Sequence, residues 1–432
     1  IEWWDRAGQR SLQRSALVEA IAQFTRALDQ IAILPTTPGL RREQINFQVA
    51  LITPLVHVKG YAASETRAAV ERAHALIEQA QALGEPPDDP LLLFSVLYGF
   101  WAANINGDVA RDLATQFLTL AEKERMTVVQ PHAHHFMGVS LLETGDIAGG
   151  RAHFDRAIAL YEPAQHRVLA MRFGQDARVS ARSRRSTALW FLGYPDAALA
   201  DAERALSDAR EFGQAATLLM ALWFTSWTLI FCGNYAAANA QVDELIALAH
   251  EKGARFWKVA GMVNRGWIFA ETGRTADALQ MNRSALEAIR STGATMSVPI
   301  VLARLAKVYA ELGHFDEAWR CIGEAQTEVQ ATKATLFEAE LNRAASDTVL
   351  RSPEPDPSKA QAYLEDALAV ARRQQAKSWE LRAAMSMARL WRDQGKEDEA
   401  RGFLAPVYGW FTEGFGTLDL KEAKILLDEL SS

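Results

Sequence analysis

Three groups of residues in this 432-residue chain have the types and spacing for chemistry. The run Pro131-His-Ala-His-His135 offers imidazoles. On a helix His132 and His135 share a face and His134 points elsewhere, so zinc would need a third ligand from a distant segment. The plainer reading is a set of polar residues opening a helix whose proline occupies the first turn. Next come Arg167, Arg172, Arg178, Arg182, Arg184 and Arg185, with Asp176 the one acid between residues 163 and 185. Guanidinium forks bind planar anions bidentately, which suits phosphates or an acidic protein surface; the alternative is a solvated helix face. Trp257, directly after Phe256, stands with Arg265 and Trp267 in a third group. Aromatic rings with an arginine on a concave surface suit a peptide or a small aromatic ligand, and core packing is the competing reading. His134, Arg167, Arg172, Arg178, Arg182, Arg185, Trp257, Arg265 and Trp267 are thus the candidate contact residues.

Motifs for catalysis are missing: no G-x-x-x-x-G-K-[ST] phosphate loop, no G-x-G-x-x-G after a strand, no H-E-x-x-H, no C-x-x-C and no nucleophile elbow. No enzyme activity, metal or cofactor is therefore expected of these residues. The formal charge of −7 draws the chain neither to nucleic acid nor to an anionic membrane. Cys232 and Cys321 lie 89 positions apart at unrelated repeat positions, so they read as buried thiols in a reducing, cytoplasmic setting.

The elements that would position these groups repeat. Six turn glycines, Gly145, Gly193, Gly233, Gly273, Gly313 and Gly395, share one surrounding pattern. Seven positions earlier the residue is small (Gly138, Ser186, Ser226, Gly266, Ala306, Ala388), and four earlier it is large and apolar (Leu141, Leu189, Leu229, Phe269, Tyr309, Trp391). Five later it is small again: Gly150, Ala198, Ala238, Ala278, Ala318, Ala400. Small residues let two helices approach and the large one fills the groove beside them, which is the tetratricopeptide-like helix pair.

From Gly193 to Gly313 the turns come every 40 residues, and Gly313 to Gly395 is 82, so a turn is expected near residue 355. Arg351-Ser-Pro-Glu-Pro-Asp-Pro357 supplies it. Gly213, Gly253 and Gly293 mark second-helix ends. The spacing predicts an all-α fold: a tetratricopeptide-like α-solenoid, a right-handed superhelix of about ten antiparallel helix pairs. One elongated domain over 1–432 is expected, with degenerate repeats at 1–125, regular ones at 126–350 carrying an insertion at 161–185, and C-terminal repeats with a cap at 351–432. Ser15 is the expected cap of the second helix. The start at Ile1, inside a helical pattern, implies a piece of a longer polypeptide.

The wording of the C-terminus is specific: Ala371-Arg-Arg-Gln-Gln-Ala-Lys-Ser-Trp-Glu-Leu-Arg-Ala-Ala-Met385, Ala388-Arg-Leu-Trp391, Leu404-Ala-Pro-Val-Tyr-Gly-Trp-Phe-Thr-Glu-Gly-Phe415 and Asp419-Leu-Lys-Glu-Ala423. Together with Tyr161-Glu-Pro-Ala-Gln-His-Arg167 and Leu189-Trp-Phe-Leu-Gly-Tyr-Pro195, it resembles the array that ends a family of bacterial regulators. In these, a class III adenylate/guanylate cyclase domain precedes a P-loop signal-transduction ATPase and a tetratricopeptide-like region. The resemblance implies a non-catalytic sensor or interaction arm controlling the ATPase or cyclase. Ala181-Arg-Ser-Arg-Arg185 departs from the apolar or small run usual there.

The expected function is therefore a regulatory, protein-interaction scaffold whose partner is a protein or peptide segment, including the ATPase or cyclase domains of its own parent chain. Self-association is compatible with it. The alternative is a small-molecule sensor with the ligand in its concave groove; nucleic acid and membrane are not expected partners.

Overall fold

A computed structural model describes residues 1–85, 89–105, 107–291 and 297–431, and every regular element among them is helical. The first five pairs are α1 (Glu2–Gln13) with α2 (Leu17–Ala32), α3 (Pro38–Val58) with α4 (Ser64–Ala82), α5 (Leu91–Ala103) with α6 (Gly107–Lys123), α7 (Gln130–Glu143) with α8 (Ile147–Ala159) and, after the one-turn α9 (Pro163–His166), α10 (Ala177–Phe191) with α11 (Pro195–Phe212). Then follow α12 (Ala215–Phe231) with α13 (Tyr235–Glu251), α14 (Arg255–Glu271) with α15 (Thr275–Ser291), and α16 (Val298–Glu311) with α17 (Phe315–Thr332). Next are α18 (Glu338–Arg351) with α19 (Pro357–Arg373) and α20 (Lys377–Asp393) with α21 (Glu397–Tyr408). A single helix, α22 (Leu418–Glu429), comes last.

The turn chemistry explains the pairs. All six repeat glycines have φ between +74° and +90°, which side chains with a Cβ adopt at a cost. The small positions earn their conservation of size locally: a Cβ on Gly138 would stand 3.0 Å from the Gly150 carbonyl oxygen, and one on Gly150 2.9 Å from that of Gly138. The glycine-free turn at Arg351–Pro357 joins α18 to α19, whose first turn is capped by the Asp356 carboxylate accepting from the Lys359 N–H at 3.0 Å. Gly293 and residues 86–88 and 106 lie outside the described residues.

Ser15 has a different role from the one expected. It sits at φ +55° and makes no cap bond to α2. Its hydroxyl accepts from the N–H of Ala215, the first residue of α12, at 3.4 Å.

That contact belongs to a rule. Pair one touches pair six through Ser15, and pair two touches pair seven through Tyr61 and Phe256, 4.9 Å apart. Pair four accepts from the approach to pair nine, where Thr335 Oγ1 donates to the Thr144 carbonyl at 2.9 Å. Pair five meets pair ten through Trp190 and Trp379, edge to face at 5.0 Å. The turn of pair six carries α22, with Leu418 packed on Gly233. Pairs six, seven, nine and ten therefore each meet the pair five places earlier, and the superhelix closes into two stacked turns.

This stacking explains why the two helices of a pair differ in burial. The outer helix α13 buries one stripe, Ala238, Val242, Leu245 and Ala249, at helical spacing. The inner helix α12 is buried on nearly every side, because its inner face meets the axis and the other turn. One contiguous apolar cluster runs from Ile45 to Trp379, through both turns. Along this stretch the inner face, expected as a lined groove, is covered.

Candidate functional site

Where α5, α7, α10 and α12 converge, a buried cavity of about 30 Å³ lies among Tyr98, Trp101, Phe136, Phe173, Trp223 and Phe224. Its polar wall comes from His132 and His135 on α7, Arg184 on α10, and Gln175, whose amide donates to the Tyr61 hydroxyl at 3.1 Å. His132 Nδ1, His135 Nδ1, Arg184 Nε and Trp223 Nε1 have no hydrogen-bond partner among the described residues. Burial keeps both imidazoles neutral, lowering His132 to about 3 and His135 well below its usual value. Arg184 is balanced by Glu143, to which it donates at 2.6 Å, and its guanidinium lies 4.2 Å from the Phe224 ring centre. The chamber is neutral, ring-walled and equipped with free donors. A space of this size admits about two waters, each needing ~10–15 Å³.

Register places these groups. Nine positions before successive turn glycines stand Phe136, Arg184, Phe224, Asn264 and Arg304, all buried. Phe136, Arg184 and Phe224 line the cavity. Asn264 instead ties the neighbouring pair together: its Oδ1 accepts from Trp227 Nε1 at 2.8 Å, and its Nδ2 donates to the Trp223 carbonyl at 3.1 Å. Arg304 stacks 3.3 Å over the Trp267 ring centre.

The sequence-derived candidates do not form one site. Arg167 is exposed, 5.0 Å over the Phe212 ring. Arg172 pairs with Asp89 at 2.5 Å, Arg178 and Arg182 share Asp208, and Arg185 bridges Asp155 and Asp201, each at 2.6 Å. All four acids lie outside the 163–185 window, Asp155 on α8, Asp201 and Asp208 on α11, and Asp89 just before α5. Trp257 and Trp267 are on the buried axis; Arg265 pairs with Asp243 at 2.5 Å. His134 is half-buried, with Nδ1 3.0 Å from that of His153. Among the described residues no group of three His, Cys, Asp or Glu side chains is arranged to hold a metal ion. None of the described helices is long and apolar enough to cross a membrane.

The cavity residues His132, His135 and Arg184 are not in that candidate set. Arg184 occupies a repeat position that holds Phe136 in the preceding pair and Phe224 in the following one, which is the one sequence signal for it; His132 and His135 have none of that kind.

A tetratricopeptide-repeat family model matches residues 131–156, covering α7 and most of α8. The chain is 22% identical over 385 residues to an uncharacterised protein, R02095, of Rhizobium meliloti, covering 89% of this chain. It spans 37% of that relative's length. In structure it is similar to a Rap protein solved in complex with competence and sporulation factor (TM-score 0.57, 12% identity, 90% of this chain and 99% of that one). It is also similar to the Cut9–Hcn1 hetero-tetramer of APC/C (TM-score 0.51, 14% identity, 84% and 59%). These likenesses define a tetratricopeptide-like helical-repeat fold, the class to which protein-interaction scaffolds commonly belong.

Proposed function

We propose that this chain is a non-catalytic regulatory and protein-interaction scaffold, the sensor or partner-binding arm of a larger ATPase or nucleotide-cyclase signalling protein. The observation that carries the proposal is the five-pair stack. Two turns joined along a seam respond as a unit, because a partner that prefers one spacing of the turns shifts the whole superhelix. The share of the Rhizobium meliloti relative spanned, 37%, supports an arm within a longer polypeptide. Peptide or protein binding is supported by the fold shared with the Rap protein complexed with competence and sporulation factor. The test is calorimetric titration of this chain with the separately produced remainder of its parent polypeptide. Binding tighter than about 10 μM supports the proposal, and no heat at ten times that concentration overturns it.

A second reading, small-molecule sensing, is favoured by one observation: four unpartnered polar groups around the ring-walled cavity. A ligand entering there would change the Trp223 environment. Quenching or shift of tryptophan emission on adding an uncharged molecule of about the size of two waters, such as formamide, abolished by Arg184→Met in a folded variant, supports that reading; an unresponsive spectrum removes it.

A further inference from the structure

Arginine occupies the position nine before the turn glycine twice, and the two copies are not equivalent. Arg184 has Glu143, two residues before Gly145, from the preceding pair. Arg304 has the corresponding acid in sequence, Glu271, two residues before Gly273. Yet Glu271 is held by Lys307 at 3.4 Å. Arg304 is 5% exposed, and its Nε, Nη1 and Nη2 have no hydrogen-bond partner among the described residues. Stacking on Trp267 covers one face of the guanidinium and leaves its in-plane donors unmet.

Charge balance points the same way. Around Arg304 the inner face carries Lys307, Arg343 and Arg382 against Glu271, Glu340 and Asp419. Those six form three pairs: Lys307 with Glu271, Arg343 with Glu340, and Arg382 with Asp419 at 2.8 Å; the next acids out, Asp347 and Glu422, are paired with Arg351 and Arg389. Arg304 is the cation left over, and a buried cation without an anion is strongly destabilising.

We propose that Arg304 is the receptor for one external carboxylate, which takes at Arg304 the place that Glu143 takes at Arg184. The single positive charge sets the ligand class as a monoanion, borne by a small molecule or by an acidic side chain. Of the charged side chains around Arg304, Glu271, Lys307 and Arg343 are the ones that reach solvent, 29%, 26% and 24% exposed.

The test is the melting temperature of the full chain in sodium acetate against sodium chloride at equal ionic strength, and with a hexaglutamate against a hexaglutamine peptide. At least one carboxylate probe should raise the melting point by about 2 °C or more. Acetate activity assigns a free carboxylate, and activity of hexaglutamate alone assigns a segment-borne one. Arg304→Met should melt at or above wild type in chloride and lose the response, and Glu271→Gln should retain it. A wild type indifferent to both probes overturns the proposal without recourse to any variant. So does an undiminished response in Arg304→Met, or its loss in Glu271→Gln.

Discussion

Trp257 donates its indole N–H to His57 Nδ1 at 3.0 Å, across 200 positions of chain and across the seam between the two turns. The acceptor nitrogen must be unprotonated, and burial keeps it so by lowering the His57 pKa to about 4. His132 and His135 are lowered by burial in the same way. Unfolded, each imidazole titrates near 6.5, so between about pH 6.5 and 4 the unfolded chain binds more protons than the folded one. Stability should be full above pH 6.5 and fall as the pH drops through that window. His57 alone accounts for about 3 kcal/mol by pH 4. Urea midpoints from pH 7.5 to 4 check this, and His57→Asn should flatten part of the slope.

The turn glycines separate into two kinds. Gly193 has φ +90°, and a Cβ there would strike the Trp410 ring and stand 2.9 Å from the Lys377 side chain. Gly313 has φ +78° and open space around it. Gly313→Ala should cost about 1–2 kcal/mol for its backbone alone. Gly193→Ala should cost at least ~1 kcal/mol more, because the second turn must lift to make room. Equal urea unfolding energies for the two would mean that the seam yields without resistance.

Trp379 is 1% exposed, with its ring 5.0 Å from that of Trp190 and 5.5 Å from that of Phe231. Trp379→Ala should cost about 3–5 kcal/mol. Since the ring joins pair ten to pairs five and six, small-angle scattering should also show a larger radius of gyration. An unchanged radius with a small loss of stability would place the seam's strength elsewhere.

Glu143→Gln leaves the buried Arg184 without its counter-charge and should cost about 3–5 kcal/mol. Pairing it with Arg184→Met should recover most of that loss, because the double variant buries no charge. A double variant as unstable as Glu143→Gln alone would show that Glu143 acts through another contact. Chemical denaturation of the four proteins in this cycle gives the coupling directly.

Helix pairs were legible because their determinants are local. A glycine at positive φ, a small residue seven before it and another five after specify one tight turn and one close helix contact, whatever surrounds them. The proline-rich turn at Arg351–Pro357 was legible for the same reason. Stacking of the turns depends instead on the small rotation from each pair to the next, summed over five pairs, and no single repeat encodes that sum. The turn tips do not spell it out: Phe191, Leu192 and Tyr194 flank the covered Gly193, but the equally covered Gly145 is flanked by Glu143, Thr144 and Asp146, much as the open Gly273 is by Glu271, Thr272 and Arg274. Only the tertiary structure supplied acids from other segments to Arg172, Arg178, Arg182 and Arg185, and gathered His132, His135 and Arg184 around one chamber. Spacing along the chain determines which residues turn and pair; which faces water and which meets a counter-charge is decided by segments up to 200 positions away.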